Sequence, residues 1–326
     1  MKSIESEILV QAANLKKYFP LRRFAFGGAK HSVKAVDGVS LAIYQGETLG
    51  LVGESGCGKS TLGRTLLGVH APTAGQIFFE GQNIADCSKA ERKQLKQKMQ
   101  LIFQDPSGSL NPRRQVKNIV AEPFIIHKLL SKSERTERVR ELLDVVGISA
   151  HFLNRYPHEL SGGQKQRIGI ARALALHPRL VICDEAVSAL DVSIQAQVIA
   201  LLERLQQEFQ LTYLFISHDL NVVYHISDRV GVMYLGKIVE LAPCRDLYFT
   251  PLHPYTQALL SAIPTTNPEQ RQENIILQGD LPSPANPPTG CRFHPRCWKA
   301  TERCVHEEPV LEAKSSNHYA ACHAVL

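Results

Sequence analysis

The stretch Glu47-Thr-Leu-Gly-Leu-Val-Gly-Glu-Ser-Gly-Cys-Gly-Lys-Ser60 decides the fold. It begins as a short apolar strand over residues 47–52, turns at Gly53 and opens a helix from Lys59 onward. A strand, a glycine-rich turn and a helix in that order make a phosphate-binding loop. The glycines let backbone N–H groups turn inward around phosphate oxygens, and the helix N-terminus adds a favourable dipole. Gly53, Ser55, Gly56, Cys57, Gly58, Lys59, Ser60 and Thr61 are the candidate nucleotide contacts. Lys59 would reach the β- and γ-phosphates, and Ser60 would ligate Mg²⁺. A thiol at Cys57, beside a helix N-terminus and Lys59, is expected to have a lowered pKa and to react readily; the alternative is that it only fills a tolerant position.

Outward from this loop, residues 32–43 mix β-branched residues with alternation and read as a strand. Further apolar strands are expected over residues 179–183 and 211–217, separated by a helix over 193–209. Buried strands alternating with helices argue for an α/β fold with a parallel sheet. Between residues 105 and 160 the texture changes to helical spacing, notably over 133–146, which predicts an inserted helical subdomain. From about Pro243 the chain is rich in proline and is expected to run as an extended connector with little regular structure.

Composition fits this reading. The chain has 326 residues, 44% of them hydrophobic, enough for a large core and more than one domain. The net charge of +6 is spread along the chain without a long basic run, so no nucleic-acid partner is expected. The first residues carry mixed charge and no apolar signal-peptide core. No stretch approaches the roughly 18 consecutive apolar residues of a membrane span. A cytoplasmic chain that docks on other proteins is expected.

The strand over 180–183 ends in Asp184-Glu185, an acidic pair where open α/β sheets bind ligands. Asp184 would hold Mg²⁺ through water, and Glu185 would orient the attacking water. Leu160-Ser-Gly-Gly-Gln164 lies between the phosphate loop and this pair. On this ordered set the chain resembles the ABC ATPase family. Gln104, in Ile102-Phe-Gln-Asp105, matches the Q-loop that senses the γ-phosphate and approaches Mg²⁺. Ser188-Ala-Leu-Asp191 matches the D-loop, and His218, in Ser217-His-Asp219, the switch histidine. Tyr18 stands where the family stacks an aromatic on adenine, with Phe19 its close competitor. The family commonly has proline after the acidic pair; Ala186 stands here.

The resemblance implies a P-loop core with a parallel sheet, an antiparallel β-subdomain and the helical subdomain, within residues 1–243, and a C-terminal extension over 244–326. It implies that Ser161, Gly162, Gly163 and Gln164 complete the ATP site of an opposite subunit, with Asp191 beside them. Phosphoryl transfer depends on such positioning and charge stabilisation. Lys59, Glu185 and His218 would carry the catalysis.

The tail stretches Thr250-Pro-Leu-His-Pro-Tyr255, Gly279-Asp-Leu-Pro-Ser-Pro284 and Gly290-Cys-Arg-Phe-His-Pro-Arg-Cys297 are similar to the extension of oligopeptide/dipeptide importer ATPases. That likeness implies a heterodimer with a second, related ATPase, two transmembrane permeases, an indirect peptide-binding protein outside, and a location on the cytoplasmic face of the inner membrane. Nickel, glutathione and antimicrobial-peptide systems share the subfamily. A cytosolic ABC ATPase is the competing class. The translation type usually carries two sets of motifs, and the DNA-repair type needs a long coiled coil that about one hundred residues cannot hold.

Cys291, Cys297, Cys304 and Cys322 are separated by five, six and seventeen residues, which matches neither a zinc ribbon nor a compact ferredoxin run. By resemblance they ligate a 4Fe–4S cluster. Zinc with mixed ligands from His294, His306, His318 and His323, or unligated thiols, are the alternatives. No residue of the nucleotide site is expected in the tail.

Overall fold

The computed structural model describes residues 7–21, 32–263 and 274–325. The chain forms two compact units. One is built from the described residues up to 86 together with those from 217 onward, the other from residues 87–216.

The first unit contains two sheets. One is antiparallel, in the order Ser32–Tyr44, Ile8–Pro20, Ala74–Phe79, Gln82–Asn83. Val39, Leu41 and Ile43 recur at period two and are buried, which makes one face of the long strand a core face. In the other sheet Thr48–Val52 runs parallel to Arg229–Tyr234, which pairs antiparallel with Lys237–Pro243. His318–Ala320 and then Glu312–Ser315 extend that sheet. Every residue of Thr48–Val52 is buried, as a strand covered on both faces requires.

The second unit contains the parallel strands Met99–Ile102, Leu180–Asp184 and Thr212–Ile216. The helix Val192–Phe209 buries Val198, Leu201, Leu202 and Leu205, an i, i+3, i+4, i+7 stripe. Asp191 caps it by accepting from the Ile194 N–H at 3.0 Å. The helical insertion comprises Pro106–Ser109, Val116–Ile126, Lys132–Val145 and two 3₁₀ turns, Ala150–Asn154 and Pro157–Glu159. Ser131 and Glu134 form a capping box that starts the longest of these helices.

One expectation changes. Residues after 243 are not a bare connector: the helices Cys244–Phe249 and Pro254–Ser261 begin there. The described residues of the extension lie in the first unit. Glu240 pairs with Ala320 and Leu241 with Tyr319, so the tail supplies strands to the sheet of the phosphate loop. Backbone pairing between distant segments leaves no local sequence signal.

Glu240 fastens this arrangement. It is fully buried and accepts from the backbone N–H groups of Leu252 and His253 at 2.8 and 2.9 Å and faces His318 Nε2 at 2.7 Å. His253 Nδ1 in turn accepts from the Tyr255 N–H, capping the helix Pro254–Ser261. Burial, opposed by Glu240, pushes His253 from 6.5 down to about 4. The unfolded chain binds a proton there below about 6.5, so this stability is complete above that pH and disappears as pH falls toward 4. Thermal melts from pH 7 to 4 should show a loss of about 3 kcal/mol from this group. His253→Asn, which keeps a helix-capping side chain without a titrating one, should flatten that dependence.

Candidate functional site

The phosphate loop follows Thr48–Val52 directly and ends at the helix Lys59–Leu66. Backbone crowding dictates its glycines. A Cβ on Gly53 (φ 149) would lie 2.1 Å from the Met233 carbonyl oxygen, and one on Gly58 (φ 109) 2.0 Å from that of Ala35. Ser55 and Gly56 are exposed at the crest of the loop, and Ser60 and Thr61 are half-buried on the first helical turn. Lys59 is 4% exposed, and its Nζ donates to the carbonyls of Gly53 and Glu54 at 2.7 and 3.0 Å. Its charge is therefore held within the loop itself.

Cys57 contradicts the expectation of a reactive thiol. It is 1% exposed, and burial pushes its pKa up, with Lys59 opposing. Desolvation outweighs the nearby cation because the thiolate would have no solvent.

His218 is exposed in the same unit as the loop. Its neighbour Ser217 donates its N–H to the carbonyl of Leu51, which brings the segment alongside the strand that feeds the phosphate loop. Asp219 then caps the helix Leu220–Ile226.

The Tyr18 hydroxyl is engaged within the protein. That hydroxyl donates to Asp37, which also pairs with Arg292 of the tail. Burial and the Asp37 hydrogen bond push Tyr18 up to about 12. Burial alone would raise Asp37, but the hydrogen bonds from Tyr18 and Arg292 prevail and hold it below the usual carboxylate range. Phe19 has no such tie. It meets His70 edge-on at 5.4 Å, with Lys17 Nζ 4.9 Å from its ring centre.

In the second unit, Gln104 Nε2 donates to Glu185 Oε2 at 2.8 Å, so two predicted site residues 81 positions apart meet. Asp184 is 1% exposed at the end of its strand. Glu185 follows in the left-handed region, φ 50, an uncommon conformation for a non-glycine residue that aims its side chain out of the strand line. Its N–H donates to the Ile216 carbonyl at 3.0 Å. Ala186, the departure from the family pattern, is buried.

Ser161 and Gln164 form a capping box at the start of the helix Gly162–Leu174. Ser161 and Gly162 are exposed, whereas a Cβ on the buried Gly163 would come within 2.6 Å of Ile194. Ile194 is the residue whose N–H Asp191 caps, so the Ser161–Gln164 turn and the Asp191 turn brace one another.

The four tail cysteines share one electrostatic neighbourhood. Burial pushes Cys291 up to about 11, and the thiols of Cys304, Cys322 and Cys297 add to it. Cys297 and Cys322 are raised by the same causes, burial first. The Cys291 N–H donates to the Cys304 carbonyl at 2.8 Å. Among the described residues, however, no group of three or more His, Cys, Asp or Glu is arranged to hold a single metal ion. The zinc alternative loses support from its histidines, since His318 is committed to Glu240 and His323 Nε2 lies 3.0 Å from the Glu307 carbonyl.

The tail also enters the nucleotide site, contrary to expectation. Arg296 pairs with Glu54 inside the phosphate loop at 3.0 Å, and the Tyr255 hydroxyl accepts from the Glu54 N–H at 2.9 Å. Separations of 242 and 201 residues carry no motif that could reveal these contacts.

Residues 36–188 match the ABC transporter family, and residues 239–304 match the oligopeptide/dipeptide transporter C-terminal region. The chain is 56% identical to the oligopeptide transport ATP-binding protein AppF of Bacillus subtilis, covering 99% of each chain. It is 50% identical to the dipeptide transport ATP-binding protein DppF of Haemophilus influenzae, covering 98% of this chain and 97% of that one. Among solved structures it resembles a dimeric ATP-binding cassette in a post-hydrolysis state with ADP and Pi, at 28% identity and a TM-score of 0.63, over 72% of this chain and 99% of that one.

Native alkylation followed by peptide mass spectrometry should leave Cys57 unmodified at pH 7.5 and modify it fully after denaturation. Rapid labelling of the folded chain at Cys57 would contradict the burial described above.

Proposed function

The chain belongs to the ATP-binding subunits of ABC transporters of the oligopeptide/dipeptide type, and we propose that it powers uptake of short peptides by hydrolysing ATP. The observation that carries this reading is the C-terminal match over residues 239–304, which separates it from cytosolic ATPases that share only the cassette.

The proposed chemistry distributes roles as follows. N–H groups of the phosphate loop other than that of Glu54, and the Lys59 ammonium, bind the β- and γ-phosphates, for which Lys59 exchanges its loop carbonyls for phosphate oxygens. By the family resemblance Ser60, Asp184 and Gln104 are the residues that would hold Mg²⁺, which would supply positive charge to offset that developing on the phosphates. Glu185, positioned by Gln104, orients the attacking water and takes its proton. His218 binds the γ-phosphate. Tyr18, with Phe19 its close competitor, supplies the adenine platform. The exposed Ser161 and Gly162, with Gly163, Gln164 and Asp191, serve the nucleotide of an opposing subunit.

The partners proposed are a second, related ATPase, two permeases and, outside the membrane, a peptide-binding protein. Among the described residues no helix is long and apolar enough to cross a membrane, which suits a peripheral subunit on the cytoplasmic face of the inner membrane. Cys291, Cys297, Cys304 and Cys322 are proposed to hold a 4Fe–4S cluster, supported by their shared electrostatic neighbourhood.

Glu185→Gln should retain MgATP binding and lower steady turnover by at least about 100-fold, measured as phosphate release by the assembled transporter. Near-normal turnover would remove Glu185 from its role. Anaerobic purification should give a brown protein with iron and sulfide in equal amounts. Stoichiometric zinc, or no metal, would eliminate the cluster.

A further inference from the structure

We infer that the C-terminal extension is part of the nucleotide site, with Arg296 and Tyr255 as positioning residues that hold the phosphate-binding loop and neutralise the carboxylate of Glu54.

The loop that must receive a polyphosphate contains an acidic residue as its second member. Left unpaired, the Glu54 carboxylate places a negative charge in an anion-binding loop. One nitrogen of the Arg296 guanidinium, Nη1, lies 3.0 Å from both Glu54 oxygens. The Arg296 side chain is only 10% exposed and that of Glu54 26%, so solvent screens the pair incompletely. The loop backbone is held as well. The Glu54 N–H points at the Tyr255 hydroxyl and is therefore turned away from the phosphates, while the Glu54 carbonyl accepts from Lys59.

Both tail residues are rigidly mounted. Tyr255 is fully buried in the helix Pro254–Ser261. Its ring meets Tyr234 at 4.7 Å and Phe293 at 5.4 Å, and Tyr234 meets Phe293 at 5.3 Å. Tyr234 ends the strand that flanks Thr48–Val52, and Phe293 stands three residues before Arg296. This aromatic cluster fixes the tail to the same sheet that carries the loop, so Arg296 cannot drift from Glu54 without disrupting a packed core.

This tie of the tail to the loop rests on the loop binding ATP and does not depend on which peptide is carried. It is tested on the full-length chain by equilibrium titration with MgATP, at about 50 mM and about 300 mM salt. Arg296→Ala should weaken MgATP binding about tenfold at low salt and less at high salt, because the exposed repulsion is screened. Adding Glu54→Gln to Arg296→Ala should restore most of the lost affinity, since the repelling charge is gone. Arg296→Lys, which keeps the charge, should stay within about threefold of the parent. Tyr255→Phe keeps the ring packing and removes only the hydroxyl; it should weaken binding severalfold while lowering the melting temperature by only a few degrees, the cost of one lost hydrogen bond, and serves alone if Arg296→Ala does not fold. Unchanged affinity in Arg296→Ala or in Tyr255→Phe overturns the inference. So does a loss in Arg296→Ala that is independent of salt and not recovered by Glu54→Gln, the signature of general loosening.

Discussion

Crowding of backbone on backbone at the phosphate loop is the constraint from which the first unit is organised. Gly53 lies against the carbonyl of Met233 and Gly58 against that of Ala35, each too close for any side chain. The Gly236 N–H closes the arrangement on the Cys57 carbonyl at 2.8 Å. Met233 and Gly236 flank the hairpin that joins Arg229–Tyr234 to Lys237–Pro243, whereas Ala35 belongs to the antiparallel sheet. Loop, hairpin and antiparallel sheet are thereby locked together by contacts that tolerate no extra methyl group. A loop held so rigidly can present its N–H groups without reorganising when charge develops on a phosphate, which is how such a site favours a transition state.

The second unit solves a different problem. Its acidic pair must be placed at the end of a wholly buried strand and still reach solvent chemistry. The left-handed turn at Glu185 does this, releasing the carboxylate toward Gln104 while Asp184 stays buried. The replacement of a customary proline by Ala186 leaves that turn intact: Ala186 is buried, and the Glu185 N–H keeps its bond to the Ile216 carbonyl. Proline would restrict φ and remove an N–H, but the packing around Ala186 holds the position without it.

The extension is bound to the first unit by three polar links of low exposure: Glu240 with residues 252, 253 and 318, Asp37 with Arg292, and Glu54 with Arg296. Charges taken out of water are stable only when each is met by a partner with good geometry. In every link the carboxylate is contributed by the cassette and the partner groups by the tail. That asymmetry makes the tail an integral part of the cassette.

The motifs were legible in the chain because each depends on short-range geometry. Residues 53–60 specify a loop by the glycines they contain, Leu160–Gln164 a capped helix start, and the apolar runs around residues 48–52, 180–183 and 212–216 strands covered on both faces. These readings need only neighbours within a turn or a strand. The order of the motifs then identified the family. The tertiary structure alone showed that the Tyr18 hydroxyl is engaged and the Cys57 thiol buried, since both depend on residues outside their local stretch of sequence. It alone revealed the tail as strands, helices and a counter-charge for Glu54, because sheet pairing and ion pairing across 200 residues or more leave no periodicity in the chain that forms them.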